Sequence, residues 1–181
     1  EFVADVDEFL VGTISGTAGA AAGRARGIVR LAETNVINAN SIVIGDSFAA
    51  FLDGYSSRMD LGQTNAITAG TILVGGNKSH SATATLGIAS PGGAFVLGSA
   101  SNRGDVYVGR VAVNTGGGAS GVIDTTNGIW NAHINSLVIG SKTNTALGTT
   151  RGIVNFSSGR VDVLSMVLGE RTGASTNAGI V

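Results

Sequence analysis

The side chains able to do chemistry are few and dispersed. Asp5, Asp7 and Glu8 form an acidic cluster, the residue types that serve as paired acid and base or as Ca²⁺ ligands. The Gly-Gly-x-Gly-x-Asp pattern of calcium-binding β-repeats is absent, so the cluster reads as a solvated edge or a subunit contact. His80 and His133 stand far apart with no cysteine or acidic residue beside them, which makes them surface or turn histidines. No Gly-x-Ser-x-Gly elbow presents a serine nucleophile. Gly116-Gly117-Gly118 lacks the lysine that follows in a phosphate loop and reads as a turn. Trp130 could form a sugar-stacking platform, but a packed or interfacial aromatic fits a strand position better. With no cysteine, neither a disulfide frame nor a thiolate metal site exists.

Composition narrows the partners. Charged residues are 13% of the 181 and net charge is −1, so no basic face is available for phosphates or an anionic membrane surface. Nucleic acid is not an expected partner. No apolar run approaches the roughly 20 residues of a membrane span. The chain begins at Glu1 with no visible signal peptide, and is expected to be processed or cut from something longer. Hydrophobic residues are 43% but aromatics only 5%, so the interior must be built from thin aliphatic layers. Gly is 29 residues, about twice the usual share, whereas Pro91 is the lone proline. Such glycines sit at turns between apolar runs.

Those runs repeat. Phe9-Leu10-Val11-Gly12 recurs as Ile42-Val43-Ile44-Gly45, Ile72-Leu73-Val74-Gly75, Val106-Tyr107-Val108-Gly109, Leu137-Val138-Ile139-Gly140 and Met166-Val167-Leu168-Gly169. The closing glycines lie 33, 30, 34, 31 and 29 residues apart. One and three residues before each glycine the side chain is apolar. Four before, it is polar (Glu8, Ser41, Thr71, Asp105, Ser136, Ser165), as a period-two strand requires. A second, shorter extended stretch follows each glycine after a loop, as in Gly27-Ile28-Val29-Arg30-Leu31 and Gly152-Ile153-Val154-Asn155-Phe156. The third unit carries an extra closing word, Phe95-Val96-Leu97-Gly98, which predicts a longer coil or a register break.

Matched columns at a nearly fixed period, with no helical pattern, predict a solenoid of parallel strands. The expected fold is all-β, a parallel β-helix of about 30 residues per coil and roughly five to six coils. It forms a single domain over 1–181, with coil ends near 12, 45, 75, 109, 140 and 169. Gly12, Gly45, Gly75, Gly109, Gly140 and Gly169 are expected at tight corners. Asn35, Asn65 and Asn127 fall at equivalent turns and are expected either to stack as an amide ladder or to serve each turn locally, with Asn102 a poorer match.

The span from Gly140 through Gly152-Ile153-Val154-Asn155-Phe156-Ser157-Ser158-Gly159 to Val167-Leu168-Gly169 resembles the autotransporter-associated β-strand repeat. That pattern runs glycine, small polar loop, strand, Ser/Asn-Gly turn, strand, aliphatic-aliphatic-Gly, and it extends over nearly the whole chain. The resemblance implies a bacterial cell-surface or extracellular protein with a right-handed parallel β-helix and no catalytic residues. These residues show no outer-membrane barrel pattern, so the resemblance is not expected to extend to a transporter.

Function is then expected from the open ends. A stacked sheet exposes unpaired backbone groups at both edges, and no capping unit is visible. Glu1, Phe2 and Val3 are expected to meet Gly179, Ile180 and Val181 of a neighbouring copy. The expected role is a structural subunit of an extracellular bacterial fibre or surface layer, a head-to-tail homopolymer without enzymatic activity or cofactor. The alternative is a passenger-type adhesin binding cell-surface glycans through loop 48–55, which carries Phe48, Phe51, Leu52 and Tyr55. A third possibility is a polysaccharide-active β-helix enzyme. It ranks last because Asp60, Asp105, Asp124 and Asp162 are scattered over different positions of their units.

Overall fold

Each closing word lies near the end of a long strand. In a computed structural model that describes residues 1–14, 25–47, 56–77, 83–112, 118–143 and 148–171, these strands are β1 (Phe2–Ile14), β3 (Thr34–Ser47), β5 (Thr64–Asn77), β8 (Gly104–Val111), β10 (Gly128–Lys142) and β12 (Ser158–Leu168). A further strand, β7 (Gly93–Leu97), precedes β8. All pair in parallel in one sheet, ordered β1-β3-β5-β7-β10-β12, with β8 also between β5 and β10. The shorter stretches are β2 (Ile28–Arg30), β4 (Arg58–Leu61), β6 (Ala84–Ile88), β9 (Ala119–Asp124) and β11 (Thr150–Asn155). They form a second parallel sheet in the order β11-β9-β6-β4-β2. The protein is a parallel β-solenoid, and no helix occurs among the described residues.

Like residues stack on like. Ile37 lies over Ile67, Ala39 over Ala69, Ile42 over Ile72 and Ile44 over Val74. Residues one and three before the closing glycines (Ile42, Ile44, Ile72, Val74, Val106, Val108, Leu137, Ile139) point inward and are buried. Met59, Leu61, Leu86 and Ile123 of the second sheet complete the core. β-Branched side chains suit this pleated, half-covered surface.

The long strands bend twice. The register omits Asp7 opposite Asn40 and Asn40 opposite Gly70, five residues before each closing glycine. Across that break Ala69 and Ile72 both face the core, three residues apart, so the alternation of faces shifts there. An unpaired residue in a ladder bends the strand in this way. The second bend is the closing glycine itself. Gly12, Gly45, Gly75, Gly109, Gly140 and Gly169 all have φ between +63° and +74°. At Gly109 a Cβ would lie 2.2 Å from the Arg151 carbonyl oxygen, so the corner requires a residue without one.

The extra closing word resolves as an insertion at the first bend. β5 pairs with β7 at a shift of 30 residues (Ile67 opposite Leu97) and with β8 at a shift of 34 (Ile72 opposite Val106). Four added residues therefore lie between β7 and β8. Gly98 turns there with φ +64°, and Ser99 bridges antiparallel to Asn102.

The turn asparagines need correction. Asn35 and Asn65 sit inside β3 and β5 rather than in the turns, and they are in register. Asn127 is not in that column; Trp130 is, with the column running Phe2, Asn35, Asn65, Phe95, Trp130, Gly159. Asn127 stays in its turn, and its Nδ2 donates to the Ile88 carbonyl. The turns differ in length from unit to unit, so counting from the turn misaligns the strands. Asn102 belongs to the inserted turn.

Candidate functional site

The asparagine and aromatic column is the most heavily built feature of the interior. Asn65 Oδ1 accepts from Asn35 Nδ2 at 2.8 Å and from the Gly62 backbone N–H at 3.0 Å. Its Nδ2 donates to the Gly62 and Ala94 carbonyls, both at 2.9 Å. Asn35 Nδ2 also donates to the Ala32 carbonyl. Each amide thus clamps the turn before its own strand and ties it to the next level. Asn35 Oδ1 is buried without a partner, because the next residue in the column is Phe2. Beyond Asn65 the column turns aromatic. Phe95 stacks on Trp130 at 6.1 Å with planes 6° apart, and Phe156 meets Trp130 edge-on. Trp130 is fully buried. It is therefore a core residue and offers no platform to a sugar.

At the first bend the outer face carries polar groups. Asp5, Asn38 and Thr68 are in register on β1, β3 and β5, and His133 and Asp162 are in register on β10 and β12. All lie seven residues before a closing glycine, as does Asn102. In the sequence this is an all-polar column seven residues before each closing glycine, beside the more regular apolar columns. Asp5, Asp7, Asn38, Asn40, Thr68 and Asn102 line an open groove of about 610 Å³.

The far end of the column is an ion-pair cluster. The inserted turn delivers Arg103, whose Nη2 donates to Asp162 Oδ2 at 2.9 Å and whose Nη1 donates to the Ile134 and Asp162 carbonyls. His133 Nδ1 lies 3.3 Å from Asp162 Oδ2, at ion-pair distance but out of line for a hydrogen bond. His133 therefore does have an acidic partner, contrary to its isolation in sequence; Asp162 reaches it through the 29-residue stacking shift. The Arg103 hydrogen bond holds the Asp162 carboxyl below the usual carboxylate range, against some desolvation, and the charges of Arg103, His133 and Arg160 add to this. A carboxyl with a depressed folded-state value stabilises the fold above its unfolded value and loses that contribution as pH falls through the folded one. Melting temperature should therefore fall below about pH 4, and Asp162→Asn should flatten that fall. Equal acid sensitivity of both proteins in melts across pH would contradict this assignment.

Asp60, Asp105 and Asp124 are also paired within the fold. Asp60 pairs with Arg58 and Arg30, Asp124 accepts from Thr126 at its turn, and Asp105 accepts from Asn135 and Tyr107. Asp60 and Asp124 share one column of the second sheet, with Gly87 between them, so they are less scattered than the sequence indicates. Lys142 is buried and donates to the Gly148 carbonyl. Burial lowers its pKa, and the nearby Arg171 charge lowers it further. No group of three or more His, Asp or Glu side chains among the described residues could hold a metal ion.

Glu1, Phe2 and Val3 lie on the free edge of the first sheet. Gly179, Ile180, Val181, His80, Gly116 and Gly117, and loop 48–55 with its aromatics, lie outside the described residues. Comparison with protein-family models, with curated proteins and with solved structures finds no match to this chain.

Proposed function

We propose that this solenoid is a structural subunit of an extracellular bacterial fibre or surface layer, built by stacking the β12 end of one copy on the β1 end of the next. The observation that carries this reading is the exposure of inward columns at an end strand. Met166 and Leu168 are 54% and 51% exposed, whereas their counterparts Ile72 and Val74 are 1% and 0% exposed. A strand edge with such side chains is a template for another strand. Continuing the columns sets Met166 against Phe9 and Leu168 against Val11. On the outer face it places Arg160 near Glu1 and Asp5. β1 carries Asp5, Asp7 and Glu8 and no basic residue, so two β1 ends repel, whereas β12, where Arg160 balances Asp162, presents no net charge against β1. Such a heterologous contact does not close and makes filaments. The resemblance to the autotransporter-associated β-strand repeat accords with a surface location and with a role that is not enzymatic.

Sedimentation and negative-stain microscopy over a concentration series test this. Wild-type protein should grow into linear particles, and Met166→Lys, which puts a charge into the proposed interface, should stay monomeric with unchanged circular dichroism. Wild-type monomers at high concentration would refute the proposal.

A further inference from the structure

We infer that the groove at the first bend of the large sheet binds an uncharged glycan strand lying along the solenoid axis. Asp5, Asn38, Thr68 and Asn102 stand on successive levels and border one concavity. No hydrogen bond from their side chains to another described residue occurs. Their neighbours are engaged: Asn40 Nδ2 donates to Asp7 Oδ1 at 2.9 Å, and Arg103 Nη2 donates to Asp162 Oδ2 at 2.9 Å. The fold thus leaves a row of unspent hydrogen-bonding groups in one groove and spends those around it.

The spacing and chemistry of the row select the ligand. Parallel strands repeat about every 4.8 Å, close to the advance of one sugar ring along a chain. Asn amides and a Thr hydroxyl both donate and accept, as sugar hydroxyls do. Asp5 adds a strong acceptor, and with Asp7 it repels acidic sugars. Gly70 lies among the lining residues and offers no side chain, which keeps the groove open. The groove crosses the outer face of β1, β3 and β5 and meets the free edge at β1 alone, so a peptide added there as a strand would not lie along it. The four-residue insertion matters here, because it brings Asn102 to the row and sets Arg103 as its end.

The test is titration by nuclear magnetic resonance or calorimetry with cello-, chito-, malto- and xylo-hexaose, and with an acidic galacturonate hexamer as comparator. The double variant Asn38→Leu/Thr68→Val removes two of the groove's hydrogen-bonding side chains without touching the core, and circular dichroism checks its fold. At least one neutral hexaose should bind saturably. The variant should weaken it by about tenfold or more, the loss expected from two hydrogen bonds. Three results would each overturn the inference: no saturable binding of any neutral hexaose, binding indifferent to the double variant, or a preference for the acidic hexamer. The assembly proposed above is read separately by sedimentation, so failure of one leaves the other standing.

Discussion

Gly75→Ala is expected to abolish the folded state or cost it most of its stability. Two costs add. Gly75 has φ +74°, a conformation that costs an L-residue roughly 1–2 kcal/mol. An added Cβ would also lie 2.2 Å from the Ser120 carbonyl oxygen and 2.7 Å from the Gly121 nitrogen. Both contacts are backbone of the opposite sheet, so relief requires the two sheets to part. Gly92 supplies the control. It has the same φ of +74°, but the nearest atom to its added Cβ is Gln63 Nε2 at 3.9 Å. Gly92→Ala should therefore cost only the conformational term, roughly 1–2 kcal/mol. Gly75→Ala should exceed it by several kcal/mol, a large fraction of the 5–15 kcal/mol typical of a whole domain. Denaturant titration of both variants measures the difference. Equal losses would show that the corner's conformation, and not the close approach of the sheets, explains the glycine.

Trp130→Ala should be the most damaging change to the core. The indole is fully buried between Phe95 and Phe156. Removing it leaves a cavity that two rigid strands cannot close, at a cost of about 3–5 kcal/mol. Trp130→Phe should be far milder. The ring stack on Phe95 can persist, and the indole Nε1–H is buried without an acceptor, so its loss removes an unsatisfied donor. The expected cost is below about 2 kcal/mol. Thermal melts of the two variants decide it. A phenylalanine variant as unstable as the alanine one would mean that the indole nitrogen has a partner that holds the column together.

The two variants act on features of different visibility. Gly75 is legible because a corner is local: three apolar residues and a glycine recur in one chain segment, and their spacing reappears as the stacking shifts of the strands. Trp130 was visible as a residue but not as a partner of Phe95. Their pairing depends on where strand β7 starts after a turn of unusual length. Counting from the turns set Asn127 beside Asn35 and Asn65, and the hydrogen-bonded ladder put Trp130 on that column instead. The same cause concealed the groove and the His133–Asp162 contact, since each joins residues from different coils.

The period, the glycine corners, the buried columns one and three residues before each glycine and the parallel solenoid they require can all be read along the chain. These follow from side-chain alternation and from glycine's freedom at positive φ, which act within a few residues. Which coil position stands over which is set by the stacking of the coils. The four residues inserted between β7 and β8 shift that register at the bend, and they bring Arg103 to Asp162 and Asn102 to the groove that Thr68 also lines. Contacts between levels depend on loop lengths that no local pattern encodes, so the apolar wall could be read from the chain and the polar groove upon it could not.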